Sequence, residues 1–138
     1  MIREGHKRIL VFAISMKHSD ILSMVFARRG YRCASITSKS NPDQRKIWLK
    51  RFVELDDEPC VLFNYGVLTT GFDAPKTSAA VIARPTKSLV LYSQMIGRVI
   101  RGPKVKGTKT AEIWTVVDQQ LPGFGTLAGA FWNWEDVW

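Results

Sequence analysis

Cysteine is scarce in this chain, and long apolar runs are absent. Only Cys33 and Cys60 occur, both in apolar segments and neither in a CxxC or Cys/His spacing, so we expect reduced, buried thiols and no zinc site. The longest apolar stretches fall far short of the roughly 20 residues that a membrane span needs, and the first residues lack the apolar core of a signal peptide. We therefore expect a soluble cytoplasmic protein with no membrane partner.

Acidic residues are few compared with basic ones. The 138 residues include 20 Lys and Arg but only 12 Asp and Glu, which gives a net charge of +8. This balance favours a polyanionic partner such as nucleic acid, although a basic surface that only improves solubility explains it equally well. Because 46% of the residues are hydrophobic, one domain can build its own core, and a second full domain would not fit.

Short apolar runs alternate with amphipathic segments along the chain. Their periodicity predicts strands at residues 9–14, 32–37, 60–63, 78–83 and 111–117. Helices are predicted at residues 15–29, 42–53 and around 94–101, the second beginning with Asn41 as N-cap and Pro42 next. Alternating strands and helices indicate an α/β sandwich with a mainly parallel sheet, in which ligands lie at the carboxyl ends of the strands.

A glutamine and two arginines share one face of the third predicted helix. Gln94, Arg98 and Arg101 stand at i, i+4 and i+7, so together they could bind an anion. The opposite face is expected to pack on the core and carries Leu89, Tyr92, Ile96, Val99 and Ile100. A solvated basic face is the alternative. Gly97 argues against it, because glycine costs a helix about 1 kcal/mol relative to alanine, which indicates that a ligand or a neighbouring backbone needs the space.

The loop at residues 67–75 follows a predicted strand and therefore lies where α/β folds bind ligands. Gly71 permits close backbone approach, and the hydroxyls of Thr69 and Thr70 can bond to phosphate oxygens. Asp73 could accept hydrogen bonds from a ribose hydroxyl. Taken alone, the same residues also suit a turn with a purely conformational role.

The order of these pieces resembles a known family. The pieces are the strand at Val11 and Phe12, then Gln44 and Arg45, then residues 70–73, then Gln94, Gly97, Arg98 and Arg101. Over about residues 8–118 the chain resembles the second RecA-like domain of superfamily 2 helicases of the DEAD/DEAH-box type. The amino-acid sequences of residues 71–75 and 94–101 are more similar to those of DNA-repair, phage and restriction-type helicases than to those of RNA-processing helicases.

This resemblance implies a RecA-like three-layer sandwich and a role in ATP hydrolysis. Arg98 and Arg101 would act as arginine fingers on ATP with Mg²⁺, which is bound mainly by an N-terminal RecA-like domain of the same protein. Gln94 would link the nucleotide to the loop at residues 67–73. The remaining nucleotide contacts would come from Gly71, Asp73 and Gly97.

The resemblance also implies a nucleic-acid track, most similar to those of DNA enzymes. The residues expected to contact the nucleic-acid backbone are Ser15, Ser38, Thr69 and Thr70. Each of them lies at a loop end, where a helix cap or a turn explains the residue type nearly as well.

The sequence lacks the other half of such an ATP site. The segment at residues 102–110 mimics a P-loop, but its lysine is displaced by one residue and a strand follows instead of a helix. The acidic run at residues 56–58 follows a helix, so it is not the acidic box of these enzymes. We expect the C-terminal motor domain of a helicase, inactive alone. The alternative is a non-enzymatic nucleic-acid-binding or adaptor module of the same fold.

A complete small enzyme is disfavoured, because neither His6 nor His18 is paired with a nucleophile in the sequence pattern. The tail at residues 119–138 differs in character from residues 1–118, which form the predicted domain. Its three tryptophans are costly to expose, so we expect the tail to pack on this domain or on a missing neighbour. Stacking on bases is the weaker alternative, because Glu135 and Asp136 would repel phosphate.

Overall fold

A parallel sheet forms the middle layer of the molecule. The computed structural model describes residues 1–54, 57–67, 76–84, 89–97 and 111–116. Its strands are β1 (Arg8–Phe12), β2 (Arg32–Ile36), β3 (Cys60–Asn64), β4 (Ala79–Ile82) and β5 (Glu112–Thr115). They are arranged in the order β2-β3-β1-β4-β5, and every neighbouring pair is parallel. The predicted α/β class with a parallel sheet is confirmed.

Helices follow three of the strands. They are α1 (Met16–Arg28), α2 (Pro42–Val53) and α3 (Leu89–Gly97), and a 3-10 turn at Ile2–Glu4 precedes β1. Ser15 caps α1 by accepting a hydrogen bond from the backbone N–H of His18. Asn41 caps α2 by accepting from Asp43 and Gln44, as the sequence predicts. None of the helices in the described part of the chain combines the length and apolarity needed to cross a membrane.

The sheet is covered on both faces, which gives three layers. On one face, Phe52 of α2 and Met95 of α3 belong to the same buried cluster as Leu62. On the other face, Phe26 of α1 packs edge-on against Phe63, with ring centroids 5.1 Å apart. Every residue of β1 and β3 is buried, as expected of parallel strands sandwiched between helices.

The two thiols lie on opposite faces of the sheet. Cys33 belongs to the cluster under α1, and Cys60 belongs to the cluster under α2 and α3. Both are buried and neither takes part in a disulfide bond, in agreement with the sequence analysis. Burial raises the pKa of the Cys33 thiol, which donates a hydrogen bond to the carbonyl of Ser23.

A buried arginine joins α2 and the start of β3 to β1. Arg8 is only 1% exposed. Its guanidinium donates to the carbonyls of Lys7 at 3.0 Å, Glu58 at 2.9 Å and Glu54 at 2.7 Å. Because Glu54 is the C-cap of α2, the positive charge also lies at the negative end of that helix dipole.

The acidic run before β3 makes structural ion pairs. Asp57 accepts a hydrogen bond from the ammonium of Lys7 at 2.7 Å, and the Glu58 carboxylate pairs with the guanidinium of Arg32. These partners suit the interpretation that residues 56–58 are not an acidic catalytic box.

The apolar face predicted for α3 is partly wrong. Met95, which the predicted stripe leaves out, is 1% exposed and is the deepest described residue of the helix. Leu91 and Ile96 are partly buried beside it, whereas Val90 is 66% exposed. The helix therefore contacts the sheet through positions i and i+4 at Leu91 and Met95, so the buried stripe is rotated toward those residues. The side chains of Leu89, Tyr92, Val99 and Ile100 lie outside the described part of the structure.

Candidate functional site

The topology creates a crevice at the carboxyl ends of β1 and β4. These strands are neighbours in the sheet. The chain leaves β1 toward β2 on one side, and it leaves β4 toward β5 on the other. Parallel α/β sheets bind ligands where two adjacent strands diverge in this way. Ser15 follows β1 and Arg84 follows β4, so both lie at this crevice.

The structure brings the two described serines of the predicted nucleic-acid track to this same edge. The Ser15 hydroxyl accepts the capping bond from His18 at 3.1 Å. Ser38 is exposed after β2, and its hydroxyl donates to the Met16 sulfur at 3.5 Å. This contact places Ser38 beside the start of α1 and hence close to Ser15. The contact of either serine with nucleic acid stays a prediction.

Sequence reasoning missed a pair of side chains at the same edge. Tyr65 follows β3 directly, and Arg84 lies two residues beyond β4. The Arg84 guanidinium carbon lies 5.0 Å from the centroid of the Tyr65 ring, which is a cation–π contact. Both side chains are half-buried. An aromatic residue and an arginine, each just past the end of a strand, were the available sequence signal.

Helix α3 presents polar and open positions away from the core. Gln94 is exposed, in the outward direction that the sequence predicts. Gly97 is exposed as well, and a Cβ added there would have none of the described chain within 4 Å outside its own helix and chain neighbours. A neighbouring backbone in the described part of the domain is therefore not what requires a glycine. That a ligand needs the space beside Gly97 stays a prediction.

The other predicted site residues lie outside the described part of the structure. They are Arg98, Arg101, Gly71, Asp73, Thr69 and Thr70, together with the P-loop mimic at residues 102–110 and the tail at residues 119–138. Their roles stay predictions.

Comparison with known proteins identifies the family. Residues 1–103 match the family described as the helicase conserved C-terminal domain. The ATP-dependent helicase IRC3 of Saccharomyces cerevisiae is 34% identical over 95 residues, a match that covers 69% of this chain and 14% of IRC3. The endonuclease subunit of the type I restriction enzyme EcoKI of Escherichia coli is 30% identical over 126 residues, covering 83% of this chain and 11% of the subunit.

A solved structure gives the same fold. Domain 2 of the DEAD-box helicase Mss116p, determined bound to an RNA duplex, superimposes with a TM-score of 0.71 at 20% identity, covering 94% of this chain and 49% of that one. The chain thus spans a small part of the curated relatives and about half of the solved domain 2 chain. It belongs to the family of helicase conserved C-terminal domains.

Proposed function

We propose that this chain is the C-terminal motor domain of an ATP-dependent nucleic-acid helicase or translocase. The observation that carries the proposal is the outer surface of α3, where exposed Gln94 and open Gly97 directly precede Arg98 and Arg101 in the sequence. Within this family a surface that is polar, uncrowded and followed by two arginines suits an opposing ATP-bound domain better than it suits the fold itself.

Arg98 and Arg101 would stabilise the charge that develops on the γ-phosphate during hydrolysis. Such arginines raise turnover by roughly 10³-fold or more in phosphoryl-transfer enzymes. ATP and Mg²⁺ would be bound mainly by the N-terminal RecA-like domain, with Gln94, Gly71 and Asp73 completing the nucleotide contacts. Because the sequence holds neither a Walker A lysine motif nor a Walker B acidic pair, the isolated chain is expected to hydrolyse no ATP.

The carboxyl edge of the sheet would form this domain's part of the nucleic-acid track. Ser15 and Ser38 are placed there by the ends of β1 and β2, and Arg84 adds a positive charge beside the β1–β4 crevice. Thr69 and Thr70 would extend the same track. Closing and reopening the two domains with each ATP would change the grip on the strand.

DNA is the proposed substrate. The amino-acid sequences of residues 71–75 and 94–101 resemble those of restriction-type and DNA-repair helicases. One relative is a subunit of a type I restriction enzyme. We also propose a cytoplasmic location, which suits two buried reduced thiols. The tail at residues 119–138 would pack on residues 1–118 or on another part of the same protein.

The test measures ATP hydrolysis by this chain alone and in mixture with the N-terminal RecA-like domain of the parent protein, with single-stranded DNA or RNA. We expect no turnover alone and DNA-stimulated turnover in the mixture. Arg98→Ala is expected to abolish that turnover. Arg29→Ala, which removes an exposed arginine at the far end of α1, is the matched control and should retain it.

Each result separates this proposal from the alternatives. Stimulation by RNA rather than DNA would overturn the choice of substrate and leave the motor assignment standing. Turnover by the chain alone would mean a complete ATP site. The non-enzymatic adaptor would be favoured if no mixture hydrolyses ATP and the isolated chain binds nucleic acid tightly and in a salt-sensitive way.

A further inference from the structure

Three side chains with metal-binding groups meet at the amino edge of the sheet. Glu4 and His6 precede β1, and Glu112 is the first residue of β5. One ligand atom from each lies within 4.8 Å of the other two, and His6 Nε2 lies 3.2 Å from Glu112 Oε2. This edge is opposite the carboxyl edge that carries Ser15, Ser38 and Arg84. The cluster is therefore separate from the residues proposed to contact ATP and from those proposed to contact nucleic acid.

The backbone holds these residues in place from two directions. The 3-10 turn closes with hydrogen bonds from the N–H groups of Glu4 and His6 to the Met1 carbonyl. Between them, Gly5 adopts a left-handed φ of 92°, a conformation that glycine reaches without the strain of a Cβ. Ile2 anchors the turn in the apolar cluster under α1. The third group, Glu112, is fixed by pairing of β5 with β4 and by its own N–H bond to Ser78.

The chemistry of the three groups suits a divalent transition metal. One imidazole nitrogen and two carboxylate oxygens form a mixed N/O set of the kind that Zn²⁺ and its first-row neighbours prefer over Mg²⁺ or Ca²⁺. His6 is only 13% exposed at its side chain, whereas Glu112 is 46% exposed, which leaves an approach from solvent.

We propose that Glu4, His6 and Glu112 form a binding site for one divalent transition-metal ion, with Zn²⁺ as its probe. Zinc ligands lie about 2 Å from the ion and therefore roughly 3.3 Å from each other. His6 and Glu112 already have that separation, so the exposed Glu4 needs to move inward by at most about 1.5 Å. Trp114, whose indole N–H donates to Glu112 at 3.2 Å, would orient that ligand from outside.

Binding would join the segment before β1 to the edge strand β5. Those two elements are not adjacent in the sheet, since β4 lies between β1 and β5. A metal bridge would stabilise the folded state by mass action, because the three ligands meet only when the sheet is formed. The role is thus structural or regulatory and does not depend on ATP turnover.

Calorimetric titration of the metal-free chain with Zn²⁺ tests the site. We expect one equivalent to bind, and we expect His6→Ala and Glu112→Gln each to weaken binding by at least about tenfold, the lower end of what even a supporting residue contributes to metal sites. His18→Gln is the matched control, because His18 is the other histidine of the chain and lies at the start of α1. It should leave the affinity unchanged.

The melting temperature provides a second measurement. Zn²⁺ should raise the melting temperature of the unchanged chain and of His18→Gln, and it should not raise that of Glu112→Gln. Because glutamine has nearly the same shape as glutamate, Glu112→Gln should keep the fold intact even if His6→Ala proves unstable. A large excess of Mg²⁺ should not displace Zn²⁺. The site does not exist if no Zn²⁺ binds or if Glu112→Gln binds it as tightly as the unchanged chain.

Discussion

Arg84 lies over the ring of Tyr65, with its guanidinium carbon 5.0 Å from the ring centroid. The contact connects the segments that leave β3 and β4, the two strands on either side of β1. The ring holds the guanidinium in one place without neutralising its charge. A positive group fixed at the β1–β4 crevice can therefore meet an anion with little further loss of side-chain entropy.

Replacing Arg84 by glutamine should weaken nucleic-acid binding without changing sequence preference. One lost phosphate contact is expected to lower the slope of log affinity against log salt by about 1. The measurement is a salt titration of single-stranded DNA binding to the intact protein. Arg29→Gln removes the same charge from the far end of α1 and should leave the slope unchanged. An unchanged slope in Arg84→Gln would take Arg84 out of the track.

Replacing Gly97 by alanine should raise the stability of the domain and lower the ATP turnover of the intact protein. Outside its own helix and chain neighbours, none of the described residues lies within 4 Å of a Cβ added here, so alanine is expected to raise the free energy of unfolding by about 0.5–1 kcal/mol through helix propensity. In the intact protein the same methyl group should lower ATP turnover, because it would face the nucleotide or the opposing domain. Denaturant unfolding and ATPase assays measure the two effects.

Ser93→Ala provides the control for Gly97→Ala on the same helix. Ser93 is half-buried, and its hydroxyl donates back to the Val90 carbonyl at 2.9 Å, so alanine improves helix propensity there too. Its turnover should remain near that of the unchanged protein. Full turnover in Gly97→Ala would mean that neither ligand nor partner comes close to this position.

The fold followed from the sequence because local and global signals agree. Asn41 with Pro42 marks the start of α2 and Gly30 follows the end of α1, while continuous apolar runs mark β1 and β3. The buried face of α3 followed only in part. The apolar side chains of residues 89–100, placed on a helix, cover about half of its circumference, and the predicted stripe omitted one side of that arc. Leu91 and Met95 lie on the omitted side and pack in the buried cluster.

The positions of Ser15 and Ser38, as distinct from their roles, followed from the sequence for a related reason, because each serine comes directly after a predicted strand. The Tyr65–Arg84 contact and the Glu4–His6–Glu112 cluster could not be predicted, since both depend on strand order. The strand order β2-β3-β1-β4-β5 brings these residues together. Tyr65 and Arg84 are more than 15 positions apart in the chain, and Glu112 is more than 100 positions from Glu4 and His6.

Replacing Arg8 by lysine should be costly despite the retained charge. Three backbone carbonyls accept from this buried guanidinium, and an ammonium cannot reach them all with the same geometry. We expect a loss of about 2–4 kcal/mol in the free energy of unfolding, measured by urea denaturation. Arg32→Lys changes a guanidinium that pairs with Glu58 near the surface and should cost less than about 1 kcal/mol. Equal losses would show that Arg8 is not a special anchor.

Replacing Ser15 by aspartate should distinguish its two roles, because aspartate caps a helix as well as serine does. Ser15→Asp is expected to keep the free energy of unfolding within about 0.5 kcal/mol, whereas Ser15→Ala should lose about 1 kcal/mol. If Ser15 contacts the nucleic-acid backbone, the added carboxylate repels phosphate, so DNA binding should fall much more than in Arg28→Gln. That control makes the same one-unit change in net charge at the other end of α1. If Ser15→Asp and Arg28→Gln bind DNA equally well, the Ser15 hydroxyl is a helix cap and nothing more. The track must then begin elsewhere on the carboxyl edge.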